Sequence, residues 1–268
     1  MNNRYELTFD NLKKKNEAAF IPFAVAGDPN LDKSEEIFRA YINGGADILE
    51  IGYPFSDPIA DGPVNQRASL RAIKSGMNHE NFFSLIKRIR AKSDIPIGIL
   101  LYMNTILHLG TDTFCKKAAD AGIDSILVAD MPPEESGELQ AAMKKYGIGR
   151  VFIVSELTPT DRMKYICSQI DSFVYVVSRL GATGTNVNFN DSISAVLSQI
   201  KTVTNKPLAV GFGISTSEHI KRAVQSGADG VIVGSALVKA IETSLNDVTL
   251  TDKLREQVLN YKTATRKQ

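Results

Sequence analysis

Short, almost uninterrupted apolar runs recur along the chain and alternate with longer amphipathic stretches. Continuous apolar runs are typical of parallel strands covered on both faces, whereas a half-exposed strand alternates apolar and polar residues. We count eight such runs, at residues 20–26, 47–52, 97–102, 124–129, 150–154, 173–177, 208–212 and 230–233. Between them, apolar residues recur at helical spacing, as in the pairs Ile37/Tyr41 and Phe38/Ile42. The pattern therefore predicts eight strands that alternate with helices.

A weak internal repeat supports this count. Glycine ends a helix and aspartate leads into a buried strand at Gly45-Ala46-Asp47, Gly122-Ile123-Asp124 and Gly227-Ala228-Asp229, with a fainter copy at Ile170-Asp171. These copies precede the second, fourth, eighth and sixth predicted strands, which favours a (βα)8 TIM barrel of the α/β class built from duplicated units. An open doubly wound sheet is the alternative. Its usual G-x-G-x-x-G turn is missing after the first strand.

Length and composition favour one barrel domain over residues 1–268, because 268 residues is typical of this fold and no linker or break in composition interrupts the chain. The formal net charge is +1 and no long basic run occurs, so nucleic acid or an anionic membrane is not the expected partner. Residues 1–19 lack the apolar core of a secretory signal. The longest apolar run, at residues 95–103, is shorter than the ~20 residues of a membrane span.

Cysteine and histidine usage points to a cytoplasmic protein without a metal. Cys115 and Cys167 belong to no C-x-x-C pattern and lie in helix-like segments, which predicts free, buried thiols. Such thiols are typical of a reducing cytoplasm. The three histidines are scattered without ligand spacing, so we expect no metal site.

Two carboxylates are the main catalytic candidates. Glu50 lies within the apolar run 47–52, where a carboxylate is costly to bury unless it is paired or used in chemistry. Asp61 follows in the Pro/Gly-rich segment 53–63. Carboxylates in different surroundings can differ in pKa, which suits paired acid and base roles. The alternatives are a structural Glu50 bonded to Tyr or Ser hydroxyls, and an Asp61 that only forms an Asp-Gly turn.

Glycine-rich segments after the last strands predict a phosphate site. Gly213 follows the seventh predicted strand, and Gly234 and Ser235 follow the eighth. Glycine lets an anion approach the backbone, and N–H groups at a helix start point toward it, although ordinary βα turns would look similar. The long polar segment 178–190 suggests a lid rather than a plain surface connection, and Gly184 could add an N–H group.

At these residues the chain resembles the tryptophan synthase α-subunit family, essentially end to end. The segment 54–63 is highly specific to that family, whereas phosphate-binding glycines also occur in related barrels. The matching segments are residues 20–23, 27–29, 49–52, 54–63, 178–179, 181–184 and 211–215.

The resemblance implies a lyase that cleaves indole-3-glycerol phosphate by a retro-aldol step into indole and glyceraldehyde 3-phosphate. It implies that Glu50 shuttles protons and that Asp61 accepts a hydrogen bond from the indole N–H and stabilises its developing charge. The other implied residues are Gly184, Gly213, Gly234 and Ser235 for the phosphate, Phe23, Leu100, Leu127, Tyr175 and Phe212 for the indole pocket, and Arg179 and Thr183 for the lid.

The resemblance also implies an α₂β₂ complex in which indole passes to a β subunit that carries pyridoxal phosphate, with no cofactor in this chain. Asp57, Pro58 and Ile59 are then expected to face the β subunit. Two alternatives are a non-catalytic activator of the β subunit and another phosphate-binding barrel of the same pathway. The presence of both carboxylates argues against the first, and the segment 54–63 argues against the second.

Three stretches depart from the usual family pattern. They are Tyr53, the pair Val64-Asn65 and the triplet Ser155-Glu156-Leu157. All three adjoin loops that follow predicted strands, at the end where barrels form their active sites. They leave the two carboxylates in place and bear on the shape of the pocket and on coupling to the β subunit.

Overall fold

A computed structural model describes residues 4–177, 189–211 and 213–267, with the backbone alone described for residues 189–192. Its strands form a single parallel sheet in the order β5-β4-β3-β2-β1-β9-β8-β7-β6. Their bounds are β1 Ala19–Val25, β2 Leu49–Gly52, β3 Ile97–Leu101, β4 Ser125–Val128, β5 Gly149–Arg150, β6 Ile153–Ser155, β7 Val174–Val177, β8 Leu208–Gly211 and β9 Gly230–Val233.

Helices cover the outer face of this sheet. Their bounds are α1 Arg4–Lys14, α2 Leu31–Asn43, α3 Pro63–Lys74, α4 His79–Arg90, α5 Met103–Leu109, α6 Thr111–Ala121, α7 Gly137–Tyr146, α8 Thr160–Gln169, α9 Phe189–Lys201, α10 Ser217–Gln225, α11 Ser235–Thr243 and α12 Leu250–Thr263, with a 3₁₀ turn at Pro133–Glu135. Among the described residues, no helix is both long and apolar enough to span a membrane.

The sheet closes through its fifth strand. Strand β5 pairs with β4 and strand β6 pairs with β7, and only two residues separate β5 from β6. The N–H of Val151 donates to the Ile126 carbonyl at 3.2 Å, and the Phe152 carbonyl accepts from the N–H of Tyr175 at 3.2 Å. One strand thus passes from one neighbour to the other and completes an eight-stranded barrel, which confirms the predicted fold. The predicted continuous strand at 150–154 is instead two short segments.

The repeated aspartates have a shared structural role. They precede β2, β4, β7 and β9, and each accepts a backbone N–H group from the adjacent strand β1, β3, β5 or β8, which helps to fix the register of the pair. The pairs and their N···O distances are Asp47–Phe20 at 2.7 Å, Asp124–Ile97 at 2.8 Å, Asp171–Arg150 at 3.2 Å and Asp229–Leu208 at 3.1 Å.

Two apolar cores follow from the alternation of side chains along each strand. Leu49 and Ile51 pack outward against the helices, whereas Ile48 packs inside the barrel with Leu127 and Val151. Both cysteines are free and buried, as predicted.

Helix α1, which was not predicted from the sequence, closes the amino end of the barrel. The Tyr5 ring lies 5.6 Å from the Phe173 ring, and the Tyr5 hydroxyl bonds the Ser125 hydroxyl at 2.6 Å. The open end of the barrel is therefore the carboxyl end of the strands.

Asp124 offers a test of how the amino end is held. Its side chain is buried and accepts from Arg4 at 2.8 Å, from Arg90 at 2.6 Å and from the N–H of Ile97 at 2.8 Å. Removing one side of a buried ion pair leaves uncompensated charges, so Asp124→Ala should lower the free energy of unfolding by about 3 kcal/mol.

Urea denaturation measures this loss. Asp94→Ala is the matched control, because Asp94 is fully exposed and lies 4.0 Å from the same Arg4 guanidinium. It should change the free energy of unfolding by less than about 0.5 kcal/mol. Equal losses in the two variants would contradict the role assigned to Asp124.

Candidate active site

Strand β2 places the Glu50 carboxyl inside the barrel. Glu50 alternates with the outward residues Leu49 and Ile51, and only 6% of its surface is exposed. No described residue forms a hydrogen bond with its carboxyl, so the alternative of a structural acid held by hydroxyls has no support in the described part of the chain. Burial, with a smaller contribution from the charge of Asp61, raises the pKa of Glu50 to about 8. Glu50 is therefore a protonated acid at neutral pH.

Asp61 is held by hydrogen bonds on both carboxylate oxygens. The Tyr102 hydroxyl donates to Oδ2 at 3.0 Å, and Asn65 Nδ2 lies 3.4 Å from Oδ1. Gln66 donates to the Asp61 carbonyl at 2.9 Å. Burial raises the pKa of Asp61, and the bonds from Tyr102 and Asn65 oppose that rise. Asp61 therefore does more than form a turn, because its side chain also bonds neighbouring elements.

The loop between β2 and α3 is fixed by aromatic contacts. Phe55 stacks on Tyr102 with ring centroids 5.1 Å apart. The Tyr53 ring lies 4.7 Å from Phe82 of α4, and its hydroxyl bonds Nδ1 of His79 at 3.1 Å. Tyr53 therefore packs against the outer helices and supports the loop.

Helix α3, which follows that loop, is anchored by a network of ion pairs. Arg71 binds the buried Asp28 through two hydrogen bonds of 2.7 and 2.9 Å. Arg71 also donates to Glu242 of α11 at 3.1 Å, and Arg67 donates to the same carboxylate at 2.6 Å. The network ties the helix next to Asp61 to the helix that begins at Ser235.

Four predicted indole-pocket residues come together inside the barrel, close to Glu50. Leu100, Leu127 and Tyr175 belong to the interior cluster, and Phe23 pairs in register with Glu50 on the adjacent strand. Burial, with contributions from the charges of Glu50 and Asp61, raises the pKa of Tyr175 well above its ordinary value. The aromatic pocket and the two carboxylates therefore share one site.

Two glycines make room for these rings. A Cβ atom on Gly52 would lie 2.7 Å from the Phe23 ring, and one on Gly211 would lie 2.6 Å from the Tyr175 hydroxyl. Both distances are too short for real side chains. Larger residues at these positions would displace the aromatic walls.

Two further residues of this site were not assigned from the sequence. The Tyr102 hydroxyl bonds Asp61, and its oxygen accepts the N–H of Ala60 at 3.0 Å. Ile153 pairs in register with Tyr175, lies two positions after the interior residue Val151, and is 39% exposed. Period-two alternation from Val151 to Ile153 was the signal that could have identified it.

The predicted phosphate elements lie on adjacent strands. Strands β8 and β9 pair directly, so the segments that follow them are neighbours. Gly213 is exposed with φ of 76°, a conformation that favours glycine. Gly234 caps helix α11, which begins at the exposed Ser235, and the first-turn N–H groups of a helix have no partner within it. These groups suit an anion.

Several predicted residues cannot be placed. Phe212 of the pocket, Gly184 of the phosphate site, and Arg179 and Thr183 of the lid lie outside the described residues. Within the described ranges, no cluster of three or more His, Cys, Asp or Glu side chains could hold a metal ion.

The predicted partner surface is only partly exposed. Ile59 is 84% exposed and Asp57 is also exposed, whereas Pro58 is buried. The outer contacts of this loop are therefore available through Asp57 and Ile59. Pro58 contributes to the packing of the loop itself.

Comparisons with known proteins agree on one family. The sequence profile of the family described as Tryptophan synthase alpha chain matches residues 9–266. A tryptophan synthase alpha chain from Methanoregula boonei is 46% identical over 252 residues, covering 94% of this chain and 95% of the relative. One from Methanothermobacter thermautotrophicus is 45% identical over 235 residues, covering 88% and 87%.

Solved structures show the same likeness. The structure of tryptophan synthase subunit alpha from Legionella pneumophila has a TM-score of 0.91 and 30% identity, with 98% of each chain covered. A chain of a tryptophan synthase structure from M. tuberculosis has a TM-score of 0.88 and 27% identity, with 99% of each covered. In both cases the structural similarity extends over essentially the full length of the two chains.

The raised pKa of Glu50 predicts a pH-dependent stability. The ordinary pKa of glutamate is about 4.3, so the neutral form of Glu50 favours folding below that pH, and this stability is lost as pH rises toward about 8. Glu50→Gln stays neutral at every pH. Its free energy of unfolding should therefore exceed that of the wild type by a margin that grows between pH 5 and 8.5, by about 1.4 kcal/mol for each unit of pKa shift.

Urea denaturation of both proteins at pH 5 and 8.5 checks this prediction. Glu256→Gln is the control, because Glu256 is exposed on α12. It should show no growing margin over the wild type. A constant difference between Glu50→Gln and the wild type at the two pH values would contradict the buried-acid assignment.

Proposed function

The chain belongs to the tryptophan synthase alpha chain family, and from this premise we propose how its residues perform the family's reaction. The protein is a lyase that cleaves indole-3-glycerol phosphate into indole and glyceraldehyde 3-phosphate. The observation that carries the residue assignment is the buried, protonated Glu50 beside Asp61 in an apolar pocket. Cleavage of this carbon–carbon bond needs an acid for the ring and a base for the hydroxyl.

Glu50 serves as both acid and base in turn. Its carboxyl proton goes to C3 of the indole ring, which leaves a positive charge on the ring nitrogen. The resulting carboxylate removes the proton from the hydroxyl on the carbon attached to C3. The carbon–carbon bond then breaks, its electron pair returns to the ring, and the aldehyde forms. Glu50 ends the cycle protonated, which matches its pKa of about 8.

Asp61 stabilises the charge that develops on the ring. Its carboxylate accepts a hydrogen bond from the indole N–H while Tyr102 and Asn65 hold both of its oxygens. A fixed negative group at this position favours the charged intermediate more than the neutral substrate. Asp61 needs to be ionised for this role, and its two hydrogen bonds favour that form.

The remaining contacts orient the substrate. Phe23, Leu100, Leu127 and Tyr175 contact the indole ring together with Phe212. Gly213, Gly234 and Ser235, together with Gly184, bind the phosphate, and the backbone N–H groups at the start of α11 point toward it. Arg179 and Thr183 belong to a lid that excludes water when it closes.

The partner is the tryptophan synthase β subunit, with which the chain forms an α₂β₂ complex. Indole passes from the α chain to the β subunit. Pyridoxal phosphate belongs to the β subunit, and the α chain needs no cofactor of its own. We propose that Asp57 and Ile59 contact the β subunit, because both are exposed in the loop that also carries Asp61. We also propose a cytoplasmic location and a single domain over residues 1–268, which the match over residues 9–266 supports.

Replacing either carboxylate tests this assignment. Glu50→Gln keeps the shape but cannot exchange protons, so indole release should fall by at least about 100-fold, and Asp61→Asn should also lose most activity. The measurement is indole release with and without the β subunit, with circular dichroism as a check of the fold. Glu256→Gln, exposed on α12 and outside the pocket, is the control and should retain full activity.

The presence of the β subunit separates the alternatives. If the chain were a non-catalytic activator, the wild-type protein and the Glu50→Gln variant would stimulate the β reaction equally. Neither protein would release indole in the absence of the β subunit. If folded Glu50→Gln protein cleaved the substrate at the wild-type rate, the role of Glu50 would be refuted.

A further inference from the structure

Asn65 combines two unusual features next to the site. It is the third residue of helix α3, and its Nδ2 atom lies 3.4 Å from Oδ1 of Asp61. Its Oδ1 atom is buried and has no hydrogen-bond partner among the residues that the structure describes. A buried acceptor without a donor destabilises the folded state, because the oxygen loses its bonds to water. Folding alone gives no reason to keep an amide here in place of an apolar side chain.

The orientation of the amide explains the unpaired oxygen. An ionised carboxylate only accepts hydrogen bonds, so the amide has to turn its NH₂ group toward Asp61. The opposite orientation would bring two oxygens together. Because the NH₂ group faces Asp61, Oδ1 faces the interior of the protein without a donor. The contact with Asp61 and the unpaired atom are therefore two results of one arrangement.

We propose that Asn65 is a positioning residue for Asp61 in the cleavage reaction. It holds Oδ1 while the Tyr102 hydroxyl holds Oδ2, so the plane of the carboxylate is set from both sides. A free lone pair then has a fixed direction toward the indole N–H. This inference rests on the proposed role of Asp61 and adds the group that orients it.

The helix that carries Asn65 is rigidly placed, which a positioning role requires. Arg71, further along α3, binds the buried Asp28 through two hydrogen bonds and also binds Glu242. Gln66, the next residue after Asn65, bonds the Asp61 backbone carbonyl at 2.9 Å. Asn65 also opposes the rise in the pKa of Asp61 that burial causes, which keeps the carboxylate ionised. Geometry and charge thus act in the same direction.

Asn65→Leu separates positioning from a structural role. Leucine has nearly the same size but neither bonds Asp61 nor leaves an unpaired oxygen. We expect the urea midpoint to stay the same or rise, and kcat for indole release to fall roughly tenfold, equivalent to about 1.4 kcal/mol. Affinity for glycerol phosphate should not change. Asn260→Leu, at an exposed helical position, is the matched control and should keep full activity.

A double-mutant cycle with Asp61→Asn completes the test. Asn65→Leu should add no further loss in the Asp61→Asn protein, measured at enzyme concentrations high enough to detect the residual rate. An equal tenfold loss in both backgrounds would overturn the inference, as would a lower urea midpoint that accounts for the lost activity. Full activity of Asp61→Asn would instead refute the proposed role of Asp61, which is a separate result.

Discussion

The site depends on the burial of one carboxyl group inside the barrel. Glu50 points inward because it alternates with Leu49 and Ile51, so a shift of one residue along β2 would replace the acid with an apolar side chain. Asp47, three residues earlier, bonds the N–H of Phe20 and fixes the register of β2 on β1. An aspartate bonds the adjacent strand in the same way before β4, β7 and β9. A structural repeat thereby supports a chemical requirement.

A second constraint links the separate parts of the site. Asp61 is held by α3 and by Tyr102 after β3, whereas the phosphate elements follow β8 and β9. The carboxylate of Glu242 on α11 binds both Arg67 and Arg71 of α3, and Arg71 also binds Asp28 after β1. Elements far apart in sequence are thus joined along one side of the barrel, where β1 lies between β2 and β9.

The apolar pattern predicted the strands well because parallel strands buried on both faces are apolar throughout. It could not predict the break at Val151 and Phe152, since both are apolar and the break is a change of pairing partner. Helix α1 was missed because its polar residues dominate, and only Tyr5, Phe9 and Leu12 are buried. Glu50 and Asp61 were recognised as candidates, but the hydrogen bonds from Tyr102 and Asn65 required the structure. The roles of all the site residues remain predictions, and Arg179, Thr183, Gly184 and Phe212 lie outside the described residues.

Catalysis by this site requires that Glu50 is a neutral acid at physiological pH, ready to donate a proton. Infrared difference spectroscopy of the wild type against Glu50→Gln, titrated from pH 4 to 10, measures its protonation directly. We expect a protonated carboxyl band that is absent from Glu50→Gln, persists at pH 7 and disappears with a midpoint near 8. A midpoint near the ordinary glutamate value of about 4.3 would contradict this expectation.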